Sequence, residues 1–294
     1  MKAGLVAVFA LVAAPVLAQQ DFSKVEVRAE KVAEGLYMLT GSGGNMGLSV
    51  GKSGTYLIDD QYAPLTDKIL AAIRAITPDP VRFVVNTHWH GDHTGGNENL
   101  GKAGALLVAH ENVRRRMSTE QFNAAFNRKT APSPEGALPV VTFTDAVTFH
   151  WNGEEIRVYH VPPAHTDGDS IVHFVKADVV HTGDVFFNGG YPFVDTSSGG
   201  RVDGVIEAVD RVLAGIGEKT RIIPGHGPLA TKADLQVYRD VVKAARDRIA
   251  KLKAEANTRD EVIAAKPTAD LDAKWGTGFM KGDGFVGLAY DSLK

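Results

Sequence analysis

Four side chains that could bind metal ions lie within six residues, in the segment His88-Trp89-His90-Gly91-Asp92-His93. The chain contains no cysteine, which excludes disulfides, thiolate metal ligands and a cysteine nucleophile. Imidazole and carboxylate ligands suit zinc, iron or manganese rather than soft metals. Because the unliganded histidines of this segment would repel one another once protonated, the sequence predicts a metal site here.

Three further candidate ligands follow predicted strands later in the chain. His165 lies in the segment PPAHTDGD, Asp184 in HTGD and His226 in PGHGP. Each motif alone is a weak signal, because turns that pair Gly with Asp or His are common. Together with the first segment they supply seven ligands, whereas a single zinc ion takes about four. The sequence therefore predicts two metal ions, about 3.5–4 Å apart, that share a bridging group.

The elements that must position these residues alternate between strands and helices. Turn residues and β-rich runs predict strands at 35–40, 46–50, 55–59, 81–85, 105–109, 147–151, 155–161, 171–175, 179–182 and 221–224. Apolar residues at helical spacing predict helices at 64–76, 202–216 and 232–252. Residues 118–138 are polar and interrupted by proline, which indicates a loop or lid around a short helix, and residues 257–294 indicate short helices with Gly-rich breaks.

Hairpin-rich strands followed by a helix occur in both halves of the chain. Asn152-Gly153, between two of the predicted strands, is a strong signal for a tight hairpin. The pattern supports a mixed α/β (α+β) fold and suggests two sheets packed face to face with helices outside, a four-layer αββα sandwich. Periodicity alone does not select this topology over others.

The segments HWHGDH, PPAHTDGD, TGDVFF and PGHGP, in this order, resemble the metallo-β-lactamase superfamily from about Gly35 to Leu229. The resemblance implies the αββα sandwich and two metal ions. The implied ligands are His88, His90 and His165 for the first ion, Asp92, His93 and His226 for the second, and Asp184 as the bridge. Asp59 resembles an early aspartate of the superfamily, and such carboxylates orient metal-bound imidazoles.

The sequence departs from the superfamily's two-zinc β-lactamases at three positions. Asp184 stands where they carry Cys, His93 where they carry Arg, and Phe187 where a Lys binds the antibiotic carboxylate. The ligand set resembles instead that of glyoxalase II and related thioesterases or lactonases. Glyoxalase II acts on glutathione thioesters, which an exported protein is poorly placed to meet. The resemblance is therefore closest to exported β-lactamase-like hydrolases with Asp in the position of Cys.

The implied reaction is hydrolysis of an amide, lactone or ester, with β-lactams as the leading substrates. Two zinc ions, or iron or manganese, are expected to activate a bridging water that attacks the carbonyl carbon. Asp92 is the expected catalytic residue, because its carboxylate could hold the nucleophile and accept its proton. The alternatives are a lactonase or thioesterase of the glyoxalase II type and a periplasmic redox-accessory metal-binding protein.

The remaining polar and aromatic residues receive structural interpretations first. The five other histidines are expected to be structural: His110, His150, His160, His173 and His181. Asp167 and Asp169 either support His165 or cap its loop, and Asn45 and Asn188 either bind substrate or serve turns. Arg114, Arg115 and Arg116 are predicted to form a solvated helix face. Five aromatic residues either wall the cleft or belong to the core: Trp89, Phe186, Phe187, Tyr191 and Phe193.

The N-terminal segment predicts export. A positive charge at Lys2 precedes a short apolar run from Ala3 to Leu17, and Val16-Leu17-Ala18 resembles a cleavage site before Gln19. The run is shorter than the roughly 20 residues that span a membrane. We therefore expect a signal peptide at residues 1–18, a single hydrolase domain at 19–294 and a periplasmic location. The alternative is an uncleaved anchor.

Composition limits the partners. The 294 residues carry 32 Lys and Arg against 35 Asp and Glu, a net charge of −3, which gives no basic footprint for nucleic acid. Hydrophobic residues make up 44% and charged residues 23%, ordinary values for a globular protein. We expect a small-molecule substrate, no nucleic acid partner and no membrane contact after signal cleavage. The oligomeric state stays open.

Overall fold

A computed structural model describes residues 21–294, and the predicted signal peptide lies outside them. In this range the strands are β1 (Arg28–Ala33), β2 (Leu36–Thr40), β3 (Met46–Ser49), β4 (Thr55–Ile58), β5 (Val81–Asn86), β6 (Leu106–His110), β7 (Gln121–Asn123), β8 (Arg128–Thr130), β9 (Val141–Phe143), β10 (Ala146–Trp151), β11 (Glu154–His160), β12 (Ser170–Phe174), β13 (Val179–His181), β14 (Arg221–Ile223) and β15 (Ala230–Thr231).

Helices occupy both halves of the same range. The α-helices are α1 (Thr66–Arg74), α2 (Gly91–Thr94), α3 (Asn97–Lys102), α4 (Glu111–Met117), α5 (Val202–Gly215), α6 (Lys232–Ala254), α7 (Arg259–Ala264), α8 (Ala269–Trp275) and α9 (Gly282–Ser292). Short 3-10 helices lie at Ala63–Leu65, Glu135–Ala137, Gly183–Val185 and Thr196–Ser198. Among the helices of residues 21–294, none has both the length and the apolar character needed to cross a bilayer.

The strands of residues 21–294 form two large sheets and one small hairpin. The first sheet has the order β1-β2-β3-β4-β5-β6-β9, antiparallel from β1 to β4 and parallel from β4 to β9. The second sheet has the order β10-β11-β12-β13-β14-β15, with a parallel pair at β13 and β14. Strands β7 and β8 pair only with each other. Parallel neighbours end at the same sheet edge, which brings together the loops after β4 and β5 in the first sheet and those after β13 and β14 in the second.

Three apolar clusters define the layers. Tyr56 and Val85 of the first sheet share a buried cluster with Val158 and Phe174 of the second, which places the sheets face to face. Ile69 of α1 belongs to the cluster on the outer face of the first sheet. The outer face of the second sheet packs against α5, α6 and α9. The αββα sandwich predicted from the sequence is therefore confirmed.

Local structure agrees with the turn chemistry where that chemistry is strong. Asn152 and Gly153 both have positive φ angles, 53° and 77°, and join β10 to β11 as the sequence predicts. The prediction for residues 118–138 needs correction. This segment contains the β7–β8 hairpin and the 3-10 helix Glu135–Ala137 in place of a loop around a short helix. Three-residue strands of mostly polar side chains carry too little alternation to be recognised.

Candidate metal centre

The first candidate ligands lie in the turn after β5 and in the short helix α2. Asp59, fully buried at the end of β4, accepts hydrogen bonds from the backbone N–H and the hydroxyl of Thr87, both 2.8 Å long. The same carboxylate lies 2.8 Å from Nδ1 of His93. Asp59 has a positive φ of 58°, a conformation that L-residues rarely adopt without support from their surroundings. One buried carboxylate therefore fixes both ends of the HWHGDH segment.

The second half supplies three side chains to the same place. His165 follows β11, Asp184 lies in the 3-10 helix after β13, and His226 follows β14. Two glycines permit the loops to meet. A Cβ atom at Gly44 would lie 2.0 Å from Cε1 of His93, and one at Gly225 would lie 2.0 Å from Oδ1 of Asp184.

All seven side chains singled out from the sequence converge in the structure. They form three overlapping groups in which the potential ligand atoms lie within 4.8 Å of one another. The groups are His88, His90 and His165; His88, His93 and Asp184; and Asp92, His93 and His226.

Asp184 lies between the two outer groups. Its Oδ1 is 3.2 Å from Nε2 of His93, and its Oδ2 is 3.3 Å from Nε2 of His226. On the other side, Oδ2 lies 3.5 Å from Nε2 of His165 and 3.9 Å from Nε2 of His88. The carboxylate can thus face two ions at once.

Hydrogen bonds at the back of each ring fix which nitrogen faces the centre. Nδ1 of His165 donates to the carbonyl oxygen of Phe193 over 2.6 Å, so Nε2 carries the free lone pair. Nε2 of His90 lies 2.9 Å from the carboxylate of Asp195, which directs Nδ1 inward to within 2.8 Å of Nε2 of His165. Such outer partners set the tautomer of metal-binding imidazoles.

The residues fit a metal centre by their unmet bonding capacity. Nε2 of His88 is buried and has no hydrogen-bond partner. Nε2 of His93 and Oδ1 of Asp184 are also buried and make no hydrogen bond, although the two atoms lie 3.2 Å apart. Buried polar atoms without partners are costly, and native proteins rarely contain them unless a ligand satisfies them. Three such atoms that point into one centre match the nitrogen and oxygen donors that zinc, iron and manganese accept.

The first group favours neutral imidazoles. Burial lowers the pKa of His165 to about 4, although the nearby Asp184 carboxylate acts in the opposite direction. Burial and the charge of His93 also hold the pKa of His88 well below its usual value. Neutral imidazole is the metal-binding form of histidine.

The second group carries charge. Burial disfavours the charged form of His226, but Asp184 and Asp92 outweigh burial and raise its pKa to about 9. The same two carboxylates, with Asp59, raise the pKa of His93 well above its usual value against the effect of burial. Burial opposes ionisation of Asp92, yet the charges of His93 and His226 lower its pKa to about 2.

Two supporting residues were missed from the sequence. Asp195 orients His90, and the backbone carbonyl of Phe193 orients His165. The only local signal was a cap, since Asp195 accepts a hydrogen bond from the N–H of Ser198 at the start of a 3-10 helix. Nothing in that signal points to a histidine 105 residues away. A backbone carbonyl leaves no trace in side-chain patterns at all.

Asn45 and Asn188 serve the His226 loop. The side-chain amide of buried Asn45 donates to the carbonyl oxygens of Pro224 and Gly227. That of Asn188 donates to the carbonyl oxygen of Pro228. Of the two roles considered for these residues, the turn role is the one that the structure displays.

The arginine run is not a uniformly solvated face. Arg115 is exposed as predicted, whereas the prediction is wrong for Arg116, whose guanidinium is mostly buried and binds both oxygens of Asp167 at 2.7 and 2.8 Å. Asp169 stabilises the His165 loop, because its carboxylate accepts hydrogen bonds from the backbone N–H groups of His165 and Thr166. Helical spacing alone could not distinguish these three neighbouring arginines.

Four of the five aromatic candidates are buried in one core cluster, in which Tyr191 packs against Phe285: Phe186, Phe187, Tyr191 and Phe193. Two of these four also lie against candidate ligands. Phe187 stacks on His226 with ring centroids 5.1 Å apart, and Phe193 lies 6.0 Å from His90. Trp89 is buried and donates its ring N–H to Ser198.

The other five histidines lie outside the three groups of residues 21–294. Nδ1 of His181 accepts a hydrogen bond from the N–H of Gly183, and its Nε2 lies 3.1 Å from the carbonyl oxygen of Asn45. The ring therefore connects two loops of the site. His110 and His160 stack on each other with centroids 3.9 Å apart. These contacts agree with the structural role expected for these residues.

The amino-acid sequence is similar to those of known proteins. A family model described as the metallo-beta-lactamase superfamily matches residues 39–256. A hydroxyacylglutathione hydrolase from Pelagibacter ubique is 26% identical over 147 residues, which cover 50% of this chain and 52% of that relative. The match therefore spans about half the length of that protein.

Two solved structures share the fold. A metallo-β-lactamase from Pontibacter korlensis superposes with a TM-score of 0.60 and 22% identity, over 74% of this chain and 99% of the other. A stereoselective inverting sec-alkylsulfatase from a Pseudomonas species reaches a TM-score of 0.70 at 19% identity, over 90% of this chain and 50% of the other. At such identities the likeness concerns the fold alone.

Proposed function

We propose that this chain, which belongs to the metallo-β-lactamase superfamily, is a metal-dependent hydrolase that acts on a small carbonyl compound at a two-metal centre. His88, His90 and His165 would hold one ion, and Asp92, His93 and His226 the other. The observation that carries this proposal is the position of Asp184, within 3.9 Å of histidine nitrogens of both groups. Zinc suits this donor set, and iron and manganese are compatible with it.

When bound, such ions lower the pKa of a coordinated water and polarise a carbonyl oxygen. The chain's own acid–base group is Asp92. Its low pKa, about 2, keeps the carboxylate ionised at neutral pH, so that Oδ2 can accept a hydrogen bond from an attacking water and orient it while its proton is transferred. Its side chain is partly exposed, unlike that of Asp184, which gives the transferred proton a route to solvent.

β-Lactam amides are the leading proposed substrates, with weak binding of their carboxylate. Phe187 lies against His226, and its ring offers no charge-assisted hydrogen bond, a contact worth roughly 1.5–3 kcal/mol. We therefore expect penicillin turnover with a high KM. Phe187→Lys should lower the penicillin KM about tenfold and change the KM for uncharged lactones less. An unchanged penicillin KM would show that another residue binds the carboxylate.

Thioester or lactone hydrolysis is the second candidate. It is supported by the similarity to a hydroxyacylglutathione hydrolase and by the all-His/Asp ligand set. Turnover of penicillins, acyl-homoserine lactones and acyl thioesters by the zinc-loaded protein separates the two candidates. Iron bound without hydrolysis of any of them would favour the redox-accessory alternative, which metal analysis of protein purified without added metal detects.

The proposed location is the periplasm, on the basis of residues 1–18. N-terminal sequencing of protein recovered from a periplasmic fraction should begin at Gln19. Recovery of chains that start at Met1 in the membrane fraction would favour the uncleaved anchor.

A further inference from the structure

Three phenylalanine rings from distant segments meet beside the candidate metal centre. Phe126 lies in the turn between β7 and β8, Phe193 in the loop before the 3-10 helix Thr196–Ser198, and Phe279 between α8 and α9. The ring centroids are 5.2 Å apart for Phe126 and Phe193, 5.8 Å for Phe126 and Phe279, and 6.2 Å for Phe193 and Phe279. These distances are typical of aromatic rings in contact. We call these three residues the phenylalanine cluster.

The cluster is continuous with the first group of candidate ligands. The ring of Phe193 lies 5.6 Å from that of His165 and 6.0 Å from that of His90. Its backbone carbonyl accepts the hydrogen bond from His165. An apolar surface therefore begins at the inner ligands and extends outward through Phe126 and Phe279.

The outer two rings are exposed to a degree that calls for an explanation. Phe193 is only 6% exposed, whereas Phe126 is 49% and Phe279 70% exposed. Adjacent exposed aromatic rings beside a reaction centre are a typical feature of binding surfaces. Covering them with an apolar group removes that surface from water and stabilises the complex.

The hairpin that carries Phe126 is attached to the site at both ends. Its turn is fixed by a 2.9 Å hydrogen bond from the N–H of Ala124 to the hydroxyl of Ser197, close to Asp195. Its base is fixed by Arg116, which donates to Gln121 and also binds Asp167 in the His165 loop. The ring of Phe126 is thus held in a defined position relative to the ligands.

We propose that the phenylalanine cluster binds an apolar acyl or aryl group of the substrate while the reacting carbonyl lies at the metal centre. This inference rests on the proposed hydrolase function and specifies its substrate class as carbonyl compounds with an extended apolar substituent. Small or strongly polar substrates gain nothing from the cluster.

The test compares substrates that differ only in apolar length. The substrates are N-butanoyl-, N-hexanoyl- and N-octanoyl-homoserine lactone. For the zinc-loaded protein, kcat/KM should rise about twofold to fourfold for each added methylene, and fourfold corresponds to a methylene that is fully buried on the cluster. Phe126→Ala and Phe279→Ala should each reduce the ratio of octanoyl to butanoyl kcat/KM at least fivefold. Phe122→Ala is the matched control, because Phe122 lies on the same hairpin with the same 49% exposure but outside the cluster.

A second measurement does not depend on turnover. Calorimetry should show that octanoate binds the zinc-loaded protein at least tenfold more tightly than butyrate, and that Phe126→Ala reduces this difference. If octanoate is preferred but no penicillin, lactone or thioester is hydrolysed, the proposed reaction is wrong and the subsite stands. Equal affinities for the two acids, or the same length dependence in Phe126→Ala and Phe122→Ala, would overturn the subsite. Loss of self-association in Phe279→Ala with an unchanged length dependence would also overturn it and assign the cluster to contacts between copies.

Discussion

The two groups of candidate ligands are built from similar side chains but differ in charge. His88, His90 and His165 are all histidines, and burial keeps the pKa of His165 near 4. In the second group Asp92 and Asp184 raise the pKa of His226 to about 9. A metal ion entering the first group meets free lone pairs on His88 and His165, whereas one entering the second must displace protons. Proximity to carboxylates, more than residue type, sets this difference.

The supports of the two groups differ as well. Asp59, which orients His93, is completely buried and also holds Thr87. The side chain of Asp195, which orients His90, is also buried and binds the adjacent 3-10 turn through Ser198. The support of the second group is thus part of the sheet edge, and that of the first group belongs to a buried loop. Asp195 can therefore be changed without removing the carboxylate that orients His93.

The largest expected effect comes from removing a ligand of the first group. His90→Ala should lower the metal content and reduce turnover to the level of the metal-free protein, because two histidines hold zinc poorly. Metal analysis and kcat/KM measure this, with His150→Ala on the exposed face of β10 as the control. Full metal occupancy with normal turnover in His90→Ala would remove His90 from the ligand set.

Asp184→Ala tests the connection between the groups. Because the Asp184 carboxylate faces histidine nitrogens of both groups, the variant should bind about one metal equivalent in place of two, with kcat/KM reduced about a thousandfold, or roughly 4 kcal/mol. Equilibrium dialysis and steady-state kinetics provide the two readouts. Retention of two equivalents at unchanged affinity would place Asp184 outside the centre.

Acidification should separate the groups. Below pH 9 the second group takes up protons, since the pKa of His226 is raised to about 9, and its metal affinity should fall about tenfold for each pH unit and displaced proton. In the first group, His165 meets no such competition until the pH approaches 4, the value to which burial lowers its pKa. At fixed free zinc, bound metal should drop from two equivalents at pH 9 to one near pH 6. Simultaneous loss of both ions would contradict the contrast.

The smallest effect is expected from a support. Asp195→Asn should weaken metal binding by the first group about tenfold to a hundredfold, the usual range for an orienting carboxylate, and leave the second group unchanged. Asp67→Asn, on the exposed face of α1, is the control. Competition with a chelator of known affinity measures each step. An equal loss at both groups would mean that Asp195 acts on the fold as a whole.

The sequence was sufficient for the residues that form a compact motif or follow a strongly apolar strand. The convergence of the seven candidate ligands and the αββα layering could be predicted, because HWHGDH follows the buried strand β5 and the later candidates follow β11, β13 and β14. The role of Asp195 could not be predicted, because only the tertiary structure brings it close to its partner His90. Arg116 was misjudged for the same reason, because its partner Asp167 lies 51 residues away.

The phenylalanine cluster could not be predicted from the sequence either, because its three residues are distant from one another along the chain. Phe193 was considered for the cleft, but Phe126 and Phe279 come from a polar hairpin and a Gly-rich loop with no periodicity. Their proximity depends on how the β7–β8 hairpin and the α8–α9 loop are placed, which local patterns do not encode.

The bonds made by Asn45 have a consequence for the order of folding events. Its side chain joins residues 179 and 182 positions away, and its N–H donates to the carbonyl oxygen of Gly225 over 2.7 Å. Closing loops of this length is entropically costly and slow compared with forming a hairpin or helix. His226 can therefore reach its place only after the two halves of the chain have docked. A nascent chain with just its first half synthesised would present HWHGDH as an incomplete chelator, and cotranslational exposure to metal would meet four ligands out of seven.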